Sequence, residues 1–176
     1  MGNLFKVLLR KKNLPIMVLI RSLKTKPKLW IGTRGDACTY DGNTFTTLTN
    51  KDGKTFKNVW GIKEDKKGNI WFGAGDGLWR YDGNTFTKVS QTSALFIIED
   101  KKGNIRTGSV GELYFMMESP CPNKKPTVTI MKSARDAFFG ILEAFDGSIW
   151  VASGKRSVSL CDGITFNDFK SKEGQK

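Results

Sequence analysis

Histidine is absent from this chain of 176 residues, and cysteine and proline are scarce, with three and five copies. Without histidine there is no Ser-His or Cys-His nucleophile pair and no zinc site with a histidine ligand. Three cysteines leave at least one unpaired, and Cys38, Cys121 and Cys161 follow no spacing typical of a metal site or a disulfide framework. The sequence therefore predicts no catalytic residue, no metal and no cofactor.

Long apolar segments are also missing, and none of those present could span a bilayer. Leu14–Ile20 follows the basic triplet Arg10-Lys11-Lys12, which is the outline of a signal peptide, but no small-residue cleavage site comes after it. A cytoplasmic location therefore stays open. The repeat described below favours another interpretation, in which Ile16–Ile20 is the first inner strand of the domain.

Acidic residues are missing from the N terminus, where much of the net charge of +12 is concentrated. The first 28 residues contain eight Lys and Arg and no acid. Such a run is typical of a solvated arm, with targeting or an anionic membrane surface as alternatives. No nucleic-acid-binding motif accompanies the charge, so nucleic acid is not a predicted partner. We assign residues 1–15 to a basic arm and 171–176 to a tail.

What the chain does contain is a repeat. Residues 70–87 repeat residues 29–46 at a displacement of 41, and the anchors of the pattern can be followed through four copies. Trp30, Trp71 and Trp150 hold one position, which Arg106 fills in the third copy. A period near 40 with a Trp and an Asp-Gly hairpin is typical of four-stranded propeller blades. The predicted fold is all-β, a propeller of about four blades.

The repeats place the blades at about 16–50, 57–90, 94–131 and 137–170, within a single propeller region of 16–170. The third blade carries a proline-containing insertion at 119–126, where regular strand pairing is excluded. Four blades can close as a complete small propeller, or they can be part of a larger ring. The missing blades would then come from a homodimer or from a longer chain.

Aspartates recur at the hairpin turns of the repeat, as in Asp65-Lys66-Lys67-Gly68-Asn69. Aspartate in such turns accepts hydrogen bonds from nearby backbone amides, which is a structural role. The alternative is calcium, but this turn lacks the alternating oxygen ligands and the closing Glu of a calcium loop. We therefore interpret the repeated aspartates as structural.

The segment from Glu64 to Phe86, with Gly-Asn-Ile-Trp-Phe-Gly followed by Gly-Leu-x-x-Tyr-Asp-Gly, resembles the two-component regulator propeller repeat. That family occurs in periplasmic sensor regions of bacterial hybrid histidine kinases. The resemblance covers about 16–170 and is strongest in the second copy. It implies a noncatalytic, ligand-sensing propeller of periplasmic or extracellular location, often responsive to glycans. Any membrane association would come through a parent sensor or through the basic N terminus.

A candidate site follows from propeller geometry, since turns between second and third strands share a face with the links between blades. We expect the non-repeating charges at these turns, beside the link at 50–55, to bind an anionic or sugar-like ligand. Trp60, predicted on an inner strand, could face the channel and stack on a sugar. The alternative is that these are simply exposed turns. The candidate residues are Arg34, Asp36, Trp60, Asp76, Lys155 and Arg156.

Two other classes of function remain possible. One is an enzyme on a propeller, such as a lyase of the streptogramin-inactivating kind or an Asp-box glycosidase. Lyases of that kind look dependent on histidine, which this chain lacks. The other is a structural or protein-interaction propeller, or a fragment of a larger sensor.

Overall fold

The structure, a computed structural model, describes residues 19–25, 28–56, 58–117, 127–153, 158–161 and 166–169. The predicted arm at 1–15, the insertion at 119–126 with Cys121, the pair Lys155 and Arg156, and the tail at 171–176 lie outside these residues. The described residues form strands and turns, and they contain no helix long and apolar enough to cross a membrane. The predicted all-β propeller architecture is confirmed.

Within the described residues, fifteen antiparallel strands form three sheets. The first blade consists of β1 (Leu19–Lys24), β2 (Leu29–Thr33), β3 (Ala37–Tyr40) and β4 (Phe45–Thr47). The second blade consists of β5 (Gly61–Glu64), β6 (Ile70–Ala74), β7 (Gly77–Tyr81) and β8 (Phe86–Ser90). The third sheet contains β9 (Phe96–Glu99), β10 (Ile105–Gly108), β11 (Val110–Met117), β12 (Thr127–Glu143), β13 (Ile149–Ser153), β14 (Val158–Cys161) and β15 (Phe166–Phe169).

The repeat predicts that the first inner strand ends at Ile20. In the structure this strand, β1, continues to Lys24. Residues 16–18 of the predicted strand lie outside the described part of the chain. The second blade explains the error. Val59 and Trp60 precede β5 and belong to the link, where their amides donate to the carbonyls of Thr33 and Gly73. Measured from Gly61 instead of Val59, the displacement of 41 leads to Ile20, which lies inside β1.

Strand β12 runs for 17 residues, without a break, through the expected boundary between the third and fourth blades at 131–137. Its first part, from Thr127 to Ala137, pairs with β11, and its last part, from Phe138 to Glu143, pairs with β13. The two blades therefore share one seven-stranded sheet. No Gly or Pro occurs from Thr127 to Phe139, so nothing in this stretch breaks a strand. The link before β5 differs, since it contains Gly53 and Asn58, both at positive φ.

The core lies between neighbouring blades, and the repeated Trp faces the blade that follows its own. Trp30 packs edge-on against Phe72 of the second blade, with ring centroids 5.8 Å apart. Trp71 is fully buried in a cluster with Ala94 and Ile105 of the third blade. The second and third blades pack closely at Gly73. A Cβ on this residue would lie only 2.4 Å from the carbonyl oxygen of Ala94. Within the described residues the blades form an open array and not a closed ring.

The described aspartates of the repeat that lie in the core have a structural role. Buried Asp65 accepts hydrogen bonds from the backbone of Lys67 and Asn69, and its Oδ2 accepts the indole N–H of Trp71 at 2.8 Å. The third blade keeps this arrangement without the Trp. There Arg106 donates from Nε and Nη2 to Oδ2 of Asp100, both at 3.0 Å. Arg106 thus replaces the indole as donor to the turn carboxylate.

The contacts of Asp100 also determine its pKa. Burial would raise the pKa of Asp100, but hydrogen bonds from Asn104 and the charge of Arg106 outweigh burial and hold the pKa below its ordinary value. Asp100 therefore stays ionised in the folded protein at neutral pH.

Candidate ligand groove between the first two blades

A small hairpin in the link between the first two blades forms one wall of the candidate site. Thr49 pairs with Thr55 in an isolated bridge. Asn50 closes the turn between them, because its Oδ1 accepts the amides of Asp52 and Lys54 at 2.9 and 3.0 Å. Gly53 takes a φ of 73°, which favours glycine. The turn therefore presents the exposed side chains of Lys51, Asp52 and Lys54 in a fixed backbone frame.

Phe56 anchors this hairpin to the second blade. Its ring is almost fully buried and contacts Trp79, Phe72 and Phe86, with centroid distances of 5.1, 6.0 and 4.7 Å. Aromatic pairs at such distances add to the energy of burial. The link is thus fixed to the sheet immediately after the charged hairpin.

Asp76, Trp79 and Lys88 form the opposite wall. Asp76 lies at the turn between β6 and β7, where its Oδ1 accepts the indole N–H of Trp79 at 3.2 Å. Lys88, on β8, approaches Oδ2 of Asp76 to 3.0 Å and lies 4.7 Å from the centroid of the Trp79 ring. Carboxylate, indole and ammonium therefore hold one another in place.

Between the walls lies an open groove with a volume of about 530 Å³. Its lining combines cations, carboxylates, an amide, a hydroxyl and two aromatic rings, namely Asn50, Lys51, Asp52, Lys54, Asp76, Trp79, Phe86, Thr87 and Lys88. Trp79 is only 7% exposed, so its ring forms part of the floor and offers little free face. This arrangement can exchange hydrogen bonds of both polarities with a polar ligand.

Of the predicted site residues that the structure describes, only Asp76 lines this groove. Arg34 and Trp60 form a separate contact, with the guanidinium carbon 5.9 Å from the Trp60 ring centroid. Trp60 precedes β5, so its predicted place on an inner strand is wrong. The backbone of Asp36 closes the β2–β3 turn, and its amide donates to Thr33 Oγ1 at 2.9 Å. Lys155 and Arg156 lie outside the described residues.

Sequence reasoning missed Lys88, although the repeat contained a signal for it. At the positions of Asp76, Trp79 and Lys88 the first copy has Gly35, Cys38 and Thr47. Three neighbouring differences between otherwise similar copies mark a local specialisation of the second blade. Asp76 and Trp79 are neighbours in one turn, whereas Lys88 is distant in sequence and is brought beside them by the register of β7 and β8.

The described residues offer no metal site, because no group of three or more potential ligand side chains converges among them. The described groove also contains no thiol. Its lining consists of fixed charges, hydrogen-bonding groups and two aromatic rings.

The blades define the general class of the chain, a β-propeller, and a polar groove lies beside the link between the first two of them. A family model for the two component regulator propeller matches residues 53–76, which extend from the link through β6 to Asp76. The resemblance inferred from the sequence is confirmed for this segment. No curated protein matches the chain significantly.

Solved structures with similar folds include three propellers. The extracellular domain of a hybrid two-component system from B. thetaiotaomicron has a TM-score of 0.68 at 17% identity, covering 88% of this chain and 23% of that one. A catalytically inactive virginiamycin B lyase from Staphylococcus aureus, solved with quinupristin, has a TM-score of 0.65 at 16% identity, covering 88% and 56%. YCF48 from Cyanidioschyzon merolae has a TM-score of 0.60 at 15% identity, covering 90% and 60%.

Identities this low establish a shared fold and do not transfer a function. The chain spans about a quarter of the first of these structures and less than two thirds of the other two. All three comparisons support the propeller architecture, and the family match adds the regulator type of repeat.

Proposed function

We propose that this chain is a noncatalytic sensor propeller that binds its ligand in the groove beside Asp76. The observation that carries the proposal is the joint formation of this groove by the link hairpin and by three residues that the first copy of the repeat lacks. The match to regulator propellers at residues 53–76 supports the sensor class and overlaps this groove. A periplasmic or extracellular location belongs to the same proposal.

The ligand class follows from the lining. A volume near 530 Å³ suits a small molecule of a few sugar rings. Three Lys ammonium groups donate hydrogen bonds, whereas the carboxylates of Asp52 and Asp76 accept them. Sugar hydroxyls act in both ways, and an acidic sugar would also use the excess of cations. We infer that the ligand is an oligosaccharide, with an anionic glycan favoured over a neutral one.

An enzymatic function is the weaker alternative. The similar lyase is inactive in a variant whose histidine is replaced by alanine, and this chain has no histidine. A glycosidase needs a pair of carboxyl groups on either side of the scissile bond. In the groove, Asp76 already accepts the indole N–H of Trp79 and pairs with Lys88. These contacts favour a carboxylate that positions a ligand over one that transfers protons.

The test is a binding screen of the whole chain with neutral and uronate-containing oligosaccharides, by thermal shift and then calorimetry. Lys88→Met should weaken binding of any hit at least about tenfold, because it removes a charge-assisted contact and frees Asp76. Lys102→Met, at an exposed turn of the third blade, is the matched control and should bind like the wild type. Binding that survives Lys88→Met unchanged would place the ligand elsewhere and refute the proposal for this groove.

A further inference from the structure

Two matching contacts connect consecutive blades at the Asp-Lys-Lys-Gly-Asn turns. Lys66, the first Lys of the turn in the second blade, donates its amide to Oε2 of Glu99 at 2.9 Å. Its ammonium donates to the carbonyl oxygens of Asp100 and Lys101, both at 3.1 Å. We call such a contact a clasp. It binds three consecutive residues of the next blade, through the carboxylate of the first and the carbonyls of the other two.

The second clasp repeats this pattern one blade later. Lys101 donates its amide to Oε2 of Glu143 at 2.8 Å. Its ammonium donates to the carbonyl oxygens of Ala144 and Phe145. Phe145 lies at the position of Lys66 and Lys101 in the turn of the fourth blade, so that turn has no lysine with which to form a clasp. Two examples therefore define what a clasp recognises, which is a Glu together with the backbone carbonyls of the two residues after it.

The link hairpin beside the groove contains a further turn of the same build. We call it the link turn, Asn50-Lys51-Asp52-Gly53-Lys54, and compare it with the turn of the first clasp, Asp65-Lys66-Lys67-Gly68-Asn69. In both turns the amide of the first residue donates to the carbonyl of the fifth at 2.9 Å. In both, the amide of the fourth residue donates to the carbonyl of the first at 3.0 Å. The two backbones are therefore closed by the same pair of hydrogen bonds.

The side chain that opens each turn and the glycine near its end match as well. In both turns Oδ1 of the first residue accepts the amides of the third and the fifth, at 2.8 to 3.0 Å. The glycine has a positive φ in each case, 73° for Gly53 and 82° for Gly68. The link turn thus holds Lys51 in the backbone geometry that Lys66 has in its clasp.

Lys51 forms no clasp within the described part of the chain. It is exposed, and among the described residues neither its amide nor its ammonium has a hydrogen-bond or carboxylate partner. Lys51 also lines the groove, so an incoming segment can reach it. Donors on a fixed backbone lose little conformational freedom on binding. The link turn is therefore preorganised for a segment of the kind that Lys66 and Lys101 bind.

We propose that the link turn is a docking site for an acidic segment of a partner polypeptide, in which a Glu carboxylate accepts the amide of Lys51. The carbonyls of the two residues after that Glu accept the Lys51 ammonium. The proposal goes beyond the sensor function and does not depend on it, since Asp76 and Lys88 lie on the opposite wall of the groove and take no part. Because Lys51 also lines the groove, a ligand bound there would compete with the segment.

The test uses the whole chain, labelled with 15N, and a backbone-cyclised hairpin peptide with the sequence of residues 98–105, which contains the Glu99 segment. One clasp is a small contact, so the Lys51 amide signal should move downfield and saturate with a Kd of about 1 mM. A peptide with Gln in place of this Glu should bind about tenfold more weakly, because a charge-assisted hydrogen bond becomes a neutral one. Lys51→Ala should weaken binding by a similar factor. Lys102→Ala removes the same charge from an exposed turn of the third blade and should bind like the wild type.

The response of individual amides separates the clasp from a general attraction between charges. The amide of Lys66 already donates to Glu99, and that of Asp52 donates to Asn50, so both signals should move little. Shifts of these two signals as large as that of Lys51 would overturn the proposal. Equal affinities for the two peptides, equal affinities of Lys51→Ala and the wild type, or no shift at about 10 mM peptide would overturn it as well. A Lys51 signal that responds to a uronate disaccharide but not to the peptide would also refute it, since the turn would then bind a sugar instead of a polypeptide.

Discussion

Replacing Arg106 by Met should destabilise the protein markedly while leaving its architecture intact. Arg106 is largely buried, and it donates two hydrogen bonds to one oxygen of Asp100, which is 2% exposed. In the variant, Asp100 keeps its hydrogen bonds from Asn104, at 2.8 to 3.1 Å, but loses its countercharge. A carboxylate would then remain buried without a cation.

The magnitude follows from these contacts. Removing one partner of a buried ion pair costs about 3–5 kcal/mol, and the remaining Asn104 hydrogen bonds favour the lower end, about 3 kcal/mol. For a chain of this size that corresponds to a fall in melting temperature of roughly 6–12 °C. Urea denaturation at pH 7, followed by tryptophan fluorescence, would measure the loss as a lower midpoint at an unchanged slope.

The loss should depend on pH in a defined direction. Asp100 has a lowered pKa in the folded state, so its ionisation stabilises the protein above the ordinary carboxyl pKa of 3.8 and ceases to do so as the pH falls through the folded value. The difference between wild type and Arg106→Met should therefore shrink under acid conditions. Asp100→Asn combined with Arg106→Met should be less destabilised than Arg106→Met alone, because no buried charge is left unpaired.

Arg106→Trp provides the decisive comparison, since it installs the donor that Trp71 presents to Asp65 in the second blade. The indole can supply one hydrogen bond to Asp100 and should recover roughly half of the lost stability. If Arg106→Trp proves as unstable as Arg106→Met, the idea that this position is occupied by a donor to the turn carboxylate is wrong.

Three further predictions concern single sites. Gly73→Ala should cost about 2–3 kcal/mol in urea denaturation, since its Cβ would lie 2.4 Å from the Ala94 carbonyl, whereas Gly140→Ala, with open space around it, should be nearly neutral. Burial raises the pKa of Cys38 from 9.0 to about 11. In a variant whose other cysteines are replaced by serine, thiol labelling of Cys38 at pH 8 should therefore be about a hundredfold slower in the folded chain than in the unfolded chain. Backbone hydrogen bonds from Thr85 and Asn84 lower the pKa of Asp82, so Asp82→Asn should lose less stability than the wild type on acidification below 3.8, and an equal loss would contradict this.

The second blade shows how much of the fold could be predicted from sequence. Its turn signals are strong, with Gly68 and Gly83 at positive φ and Asp82 accepting amide hydrogen bonds from the hairpin, so the outer three strands fall where expected. The inner strand was extended too far because Val59 and Trp60 are as apolar as a strand. Their amides bond across to the first and second blades, and composition carries no information about such a contact.

The candidate site was harder to predict because it depends on register between distant segments. Asp76 was predicted because a charged residue in a glycine-rich turn can be recognised from the sequence alone. Lys88 lies twelve residues further along, in an ordinary alternating strand, and only the pairing of β7 with β8 brings it to Asp76 and Trp79. The boundary between the last two blades carries no turn signal, because no Gly or Pro interrupts β12 from Thr127 to Phe139, and the change of pairing partner from β11 to β13 is visible only in the register.

Differences between copies of a repeat have two physical causes, and the structure separates them. Arg106 differs from Trp71, but it donates to the same turn carboxylate and stays buried, so the change is compensated within the fold. Phe145 differs from Lys66 and Lys101, and its ring is fully exposed, so none of the described residues compensates for the change. Positions at which copies disagree with no compensating contact among the described residues, such as Phe145, are therefore better candidates for a contact with another segment or molecule than Arg106, whose change is compensated.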